Sequence, residues 1–216
     1  AILKKRVRNL TVDEAYRELV HRHKEGVIRL VPEPEFDASC QPITPTRTLP
    51  RSRTETRIVD GKRVTEVLDD IGPDGKRSQV TTKLVQMEPR VGEVPLLYTG
   101  TPTRTSKGEA GAITNVNPIN AAGLVRLVLL LRRGFAITEF HHVGVGRNVV
   151  INKGDCHDWG RAIDYVGVRL PDPAGKPDRF FMFVGADWAG ETVPKVAEIG
   201  QRPSRQERDR AWPFVS

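Results

Sequence analysis

Apolar and polar positions alternate differently in the two halves of this chain. Thr11-Val-Asp-Glu14 has the form of a capping box, with a hydroxyl at the start and a carboxylate three residues on. The spacing predicts a short helix from there to about Lys24, stopped by Gly26. Residues 31–53 carry many prolines and no clear period, which reads as an extended arm draped over another surface. Asp60-Gly61 is a hairpin-turn signature, and Pro73-Asp74-Gly75 marks a second turn. Residues 54–87 therefore read as a small antiparallel meander, and 99–112 as a flexible loop.

From residue 113 the pattern changes. Asn117 and Gly134 frame an apolar stretch of about 13 residues, expected to be a helix buried almost all round. Phe135–Val143, Ala162–Val168 and Arg179–Gly185 read as strands. The Pro- and Gly-bearing loop before Arg179 suggests that the last two form a hairpin. The expected fold class is α+β: a small antiparallel sheet with a buried helix, preceded by an arm and a β-meander. The expected division is 1–112 and 113–216, the latter ending in a basic tail.

Composition narrows the function classes. Hydrophobic residues are 38% of the 216, and the longest apolar run, Leu127 to Leu131, is far short of a bilayer span of about 20 residues. The chain has 34 Lys and Arg against 27 Asp and Glu, a formal charge of +7, which is compatible with anionic partners. Nucleic acid is the least supported of these, since no recognition helix or aromatic platform stands out. Cys40 and Cys156 either bridge in an oxidising compartment or remain free thiols. The chain opens on Ala1 with no intact signal peptide, which suggests a processed chain or a piece of a longer one, exported, periplasmic or particle-associated.

The chemically dense stretch is Asp155-Cys156-His157-Asp158-Trp159-Gly160-Arg161-Ala162-Ile163-Asp164. A loop imidazole and a strand carboxylate can converge there across Gly160, and both are good Zn²⁺ ligands. A plain hydrogen bond between His157 and Asp164 is the alternative.

His157-x-x-Gly160-x-Ala162-x-Asp164 is similar to the H-x-x-G-x-A-x-D signature of the zinc D-Ala-D-Ala carboxypeptidases and endolysin-type peptidases, the LAS or M15-like metallopeptidases. The extensin-like C-terminal group shares it. The resemblance spans residues from about 113 to 190, and it implies that His157 and Asp164 are two zinc ligands. The serine that often stands two before the histidine is Asp155 here. That family takes its third ligand from a downstream histidine, with a glutamate shortly before it as general base, but no histidine follows His157 in this chain.

The nearby histidines are upstream, in Glu139-Phe140-His141-His142. Strand alternation puts Glu139 and His141 on one face and His142 on the other. A strand end or bulge can turn either imidazole inward. His142, beside the Gly144-x-Gly146 turn, is the favoured third ligand and His141 its rival. Glu139 is then the candidate general base, with Asp187 as the competing carboxylate. Arg147 and Arg161 are placed to hold a substrate carboxylate bidentately, and Trp159 to wall a substrate groove.

These features point to a zinc-dependent peptidase or amidase acting on peptidoglycan stem peptides. The competing expectation is a non-catalytic structural or cargo component of a phage-like or contractile injection assembly. In that case residues 31–53 and the meander pack against other protein subunits.

Overall fold

The computed structural model describes residues 10–99, 109–110, 113–145, 151–152, 163–171 and 179–182. Arg147, His157, Trp159, Arg161 and Asp187 lie outside the described residues, as does Cys156. The described part is α+β, with two helices and twelve strands.

Helix α1 (Val12–Lys24) begins at Thr11, which is a capping box in fact as well as in sequence. The Thr11 N–H donates to Glu14 Oε2 at 2.7 Å, and the Glu14 N–H donates back to Thr11 Oγ1 at 3.2 Å. Gly26, at φ +72°, turns the chain after the helix. Ala15, Tyr16, Leu19 and Val20 repeat at helical spacing and are the buried face.

Strands β1 (Thr46–Val59), β2 (Lys62–Asp69) and β3 (Gln79–Lys83) follow. The Asp60-Gly61 turn between β1 and β2 has both residues at positive φ, as a tight hairpin turn requires. The part of 31–53 from Thr46 onward thus belongs to a strand rather than to a loose arm. Nor are the three strands neighbours in chain order. β3 pairs with the first half of β1 (Thr46–Pro50) and β2 with the second half (Ser52–Val59).

Arg51 sits at the junction. Its N–H donates to the Ser78 carbonyl, and its own carbonyl accepts from Asp70. Those two groups of one residue point to the same strand edge, so β2 and β3 lie end to end along β1. The excursion between them is closed by Ser78 N–H to Asp70 C=O at 2.7 Å. On its other edge β1 pairs in parallel with β10 (Ile151–Asn152), at Arg51 and Ser52.

The far end of this ribbon stands clear of the body. Every residue from Arg53 to Arg63 is exposed. Glu55 lies directly opposite Glu66, an arrangement that costs energy unless neutralised. Arg53 at 2.8 Å from Glu55 and Arg57 at 2.7 Å from Glu66 supply the counter-charges.

Strands β4 (Val85–Met87), β5 (Arg90–Val91), β6 (Val94–Tyr98), β7 (Glu109–Ala110) and β8 (Ile113–Val116) lead to helix α2 (Pro118–Phe135). Asn117 caps α2 by accepting from the Ile119 N–H at 3.0 Å. The helix is 18 residues long and passes through Gly134; Ala136, in the left-handed conformation, ends it instead. It is one-sided rather than buried all round. Ala121, Val125 and Val128 are buried while Leu130 is exposed. No helix of the described residues is long and apolar enough to cross a membrane.

Strands β9 (Glu139–Val145), β11 (Ile163–Leu170) and β12 (Arg179–Met182) complete a six-stranded sheet. Its principal order is β12-β11-β9-β6-β5, with β7 also on β6. β11 and β12 pair antiparallel, as the loop between them suggested. The sheet is mixed, not purely antiparallel, because β9 pairs in parallel with β6. One hydrophobic cluster joins α1, α2, the β4–β8 pair and the inner face of this sheet, through Leu19, Val125, Met87, Leu96, Phe140, Val168 and Phe181. Residues on both sides of position 112 share that core. Arg126 of α2 ties it further to α1, with Nε 2.6 Å from Glu18 Oε1.

Candidate functional site

β9 is the strand that organises the candidate site, and its two faces are both covered. Phe140 and His142 point toward the core side, and Glu139 and His141 point away from it. Phe140 is fully buried against Tyr165, ring centroids 5.4 Å apart. His141 is fully buried on the opposite face, under Phe180 at 4.7 Å between centroids.

His141 sits in a closed polar chain. Its Nε2 lies 2.9 Å from Glu139 Oε2, and its Nδ1 lies 2.7 Å from Thr99 Oγ1. Arg169 of β11 donates Nε–H to the same Glu139 oxygen at 2.7 Å. An ionised carboxylate only accepts, so Nε2 carries the ring proton and Nδ1 accepts from the Thr99 hydroxyl. Burial lowers the His141 pKa more than Glu139 raises it, which favours this neutral tautomer. Burial works to raise the Glu139 pKa, but the Arg169 and His141 hydrogen bonds outweigh it and hold the carboxyl below its ordinary value. Glu139, expected as a general base, is therefore ionised and doubly engaged by Arg169 and His141.

His142 is the opposite case. It is 4% exposed, and neither ring nitrogen has a hydrogen-bond partner among the described residues. Burial, with a smaller electrostatic contribution from the neighbouring His141, takes its pKa down to about 4. Its ring meets Tyr98 edge-on at 6.2 Å. A buried polar group left unpaired costs about 1–3 kcal/mol, so an orphaned imidazole calls for an explanation.

The local strand pairing is irregular at this residue. Asp164 of β11 lies opposite Gly144, and Tyr165 lies opposite His142. One step on β11 thus spans two on β9. The next step reverses the imbalance, with Gly167 opposite His141. Such bulges re-aim side chains and concentrate near active sites. Asp164 itself is exposed and stands one register step from His142 on the neighbouring strand. Two of the expected ligands, His142 and Asp164, are therefore on adjacent strands. His157, the third, is among the residues the structure does not describe. Among the described residues no group of three or more His, Cys, Asp and Glu gathers around a metal-sized space.

No family model, curated protein or solved structure matches the chain. The site therefore stands on its own residues.

Thr99 and Arg169 are the members that sequence reasoning missed. Thr99 opens the stretch read as a loop, and its N–H continues the β6–β9 ladder by donating to the His142 carbonyl at 2.8 Å. The remaining histidines are engaged elsewhere. His21 pairs with Glu25 at 3.2 Å, and His23 with Glu33 at 2.8 Å while accepting from the Leu30 N–H. Cys40 is an exposed free thiol.

Proposed function

We propose that this chain is a zinc-dependent peptidase or amidase of the D-Ala-D-Ala carboxypeptidase type, acting on peptidoglycan stem peptides. The observation that carries the reading is the orphaned His142. A neutral imidazole with free nitrogen lone-pair capacity is the form that binds a metal. It lies beside the strand that bears Asp164 of the H-x-x-G-x-A-x-D sequence. His142, His157 and Asp164 are a two-imidazole, one-carboxylate donor set, which suits Zn²⁺ with one position left open. When bound, the ion would supply a polarising charge and an acidified water.

The chain's own residues divide the remaining work. Glu139 is committed to Arg169 and His141 and fixes the conformation of β9 behind His142. Asp187 is then the carboxylate left to accept a proton and return it to the leaving nitrogen of the substrate. Arg147 and Arg161 hold the terminal carboxylate of the stem peptide, and Trp159 walls the groove. The test is cleavage of a purified stem peptide ending in two D-alanines. Wild type should release the terminal residue, and His157→Ala should lose at least about a hundredfold in rate. Equal cleavage by both proteins would refute the assignment.

A second reading, a structural component of a larger particle, is favoured by the ribbon. Ile58 is 77% and Val67 66% exposed on one face of β1–β2. Cross-strand pairing puts them on that face with Thr56 and Thr65. If this reading is right, replacing both with Thr leaves folding intact and abolishes incorporation into the particle.

A further inference from the structure

A second site lies apart from β9 and β11. A half-open cavity of about 310 Å³ is bordered by α1, residues 30–35, the approach to β1, and β4. Leu30, Pro32, Ile43, Pro45 and Val85 give it apolar walls. Several of its polar groups are already engaged. Glu33 pairs with His23 at 2.8 Å, the Thr44 hydroxyl donates to Asp13 at 2.6 Å, and Gln86 Oε1 accepts from Arg47 at 3.3 Å.

Two groups remain. Tyr16 lines the cavity and is 3% exposed, yet no described residue hydrogen-bonds its hydroxyl. Glu35 lines the same cavity and makes no ion pair among the described residues. Both line the same cavity, and burial, with a smaller contribution from the negative charge of Glu35, raises the Tyr16 pKa. A phenol oxygen and a carboxylate above apolar walls are complementary to a cation on a hydrocarbon stem. An ammonium group has three donors and no acceptor, which suits two acceptors and no donor requirement.

We propose that this cavity binds a primary alkylammonium group, with Glu35 as its counter-charge, the Tyr16 hydroxyl as an acceptor and the stem against Leu30, Ile43 and Val85. The site shares no residue with the proposed zinc centre and goes beyond the peptidase reading. The amine belongs either to a small molecule or to a lysine side chain of a polypeptide.

The experiment is a titration of the full chain at pH 7, followed by amide chemical shifts. The probes are n-butylammonium chloride, N-acetyl-lysine amide and n-butanol. Both amines should give saturable shifts at Val31, Glu35 and Thr46. Glu35→Gln and Tyr16→Phe should each weaken binding by about tenfold or more, and n-butanol should not saturate. Both variants keep the fold, because Glu35 is exposed and the Tyr16 hydroxyl has no hydrogen-bond partner to lose among the described residues. Tighter binding of the lysine amide assigns the site to a polypeptide, and tighter binding of butylammonium assigns it to a small amine. The proposal is overturned if neither amine saturates below about 100 mM, if both variants bind like wild type, or if n-butanol binds as well as the amines.

Discussion

Thr99 and His141 are joined across a parallel strand pair, the threonine hydroxyl donating to Nδ1 over 2.7 Å in a fully buried setting. That bond is the end link of a chain of four side chains, Thr99, His141, Glu139 and Arg169. The ionised Glu139 carboxylate accepts from Nε2, which leaves Nδ1 to accept from Thr99, and Glu139 in turn receives Arg169. His142, the next residue, is carried by the same backbone and faces the other way.

Removing the Thr99 hydroxyl should therefore be costly. Thr99→Val keeps the shape but leaves the buried Nδ1 without a donor, at about 1–3 kcal/mol. Thr99→Ser keeps the hydroxyl and should cost less. Urea unfolding of the two variants at pH 7 measures the difference, and equal midpoints would show that the bond contributes nothing.

The buried imidazole of His142 predicts acid sensitivity. Its folded pKa of about 4 lies below the ordinary 6.5, so the unfolded chain takes up the proton first as pH falls. Its contribution is complete above about pH 6.5 and is lost progressively down to about pH 4, by about 3 kcal/mol in all. His142→Leu removes this titration. The gap in unfolding free energy between the variant and wild type should widen in favour of the variant as pH drops from 7 to 4.5. A gap independent of pH would contradict the burial of a neutral ring.

Gly92 offers a test of the fold away from the site. It sits at φ +57°, and its N–H donates to the Val27 carbonyl at 2.6 Å. A side chain there meets left-handed strain, and a Cβ would lie 2.9 Å from an Arg132 nitrogen. Arg132 can move, so the backbone strain dominates. Gly92→Ala should destabilise by about 1–2 kcal/mol, read as a fall in thermal midpoint. Gly123→Ala, in the open interior of α2, should not destabilise.

What was legible in the sequence was local. The Thr11–Glu14 box and the Asp60-Gly61 turn depend on residues within four positions of each other, and both were readable. The alternation that separates Glu139 and His141 from His142 was readable for the same reason. The pairing of β3 with β1 was not, because it depends on an excursion closed by Ser78 and Asp70. The end of α2 was misread because Gly134 resembles a stop, whereas the left-handed residue is Ala136. At the site, periodicity gave the face of His142 but not its lack of partners. That property arises from strands far apart in the chain packing around it.

The measurement that bears most directly on the central claim is the zinc content of the purified chain after equilibration with zinc and gel filtration. The account expects about one equivalent in wild type, and expects each of His142→Leu, His157→Ala and Asp164→Ala to fall to background while remaining folded by circular dichroism. A zinc-free wild type, or full zinc retention in any of the three folded variants, would contradict it.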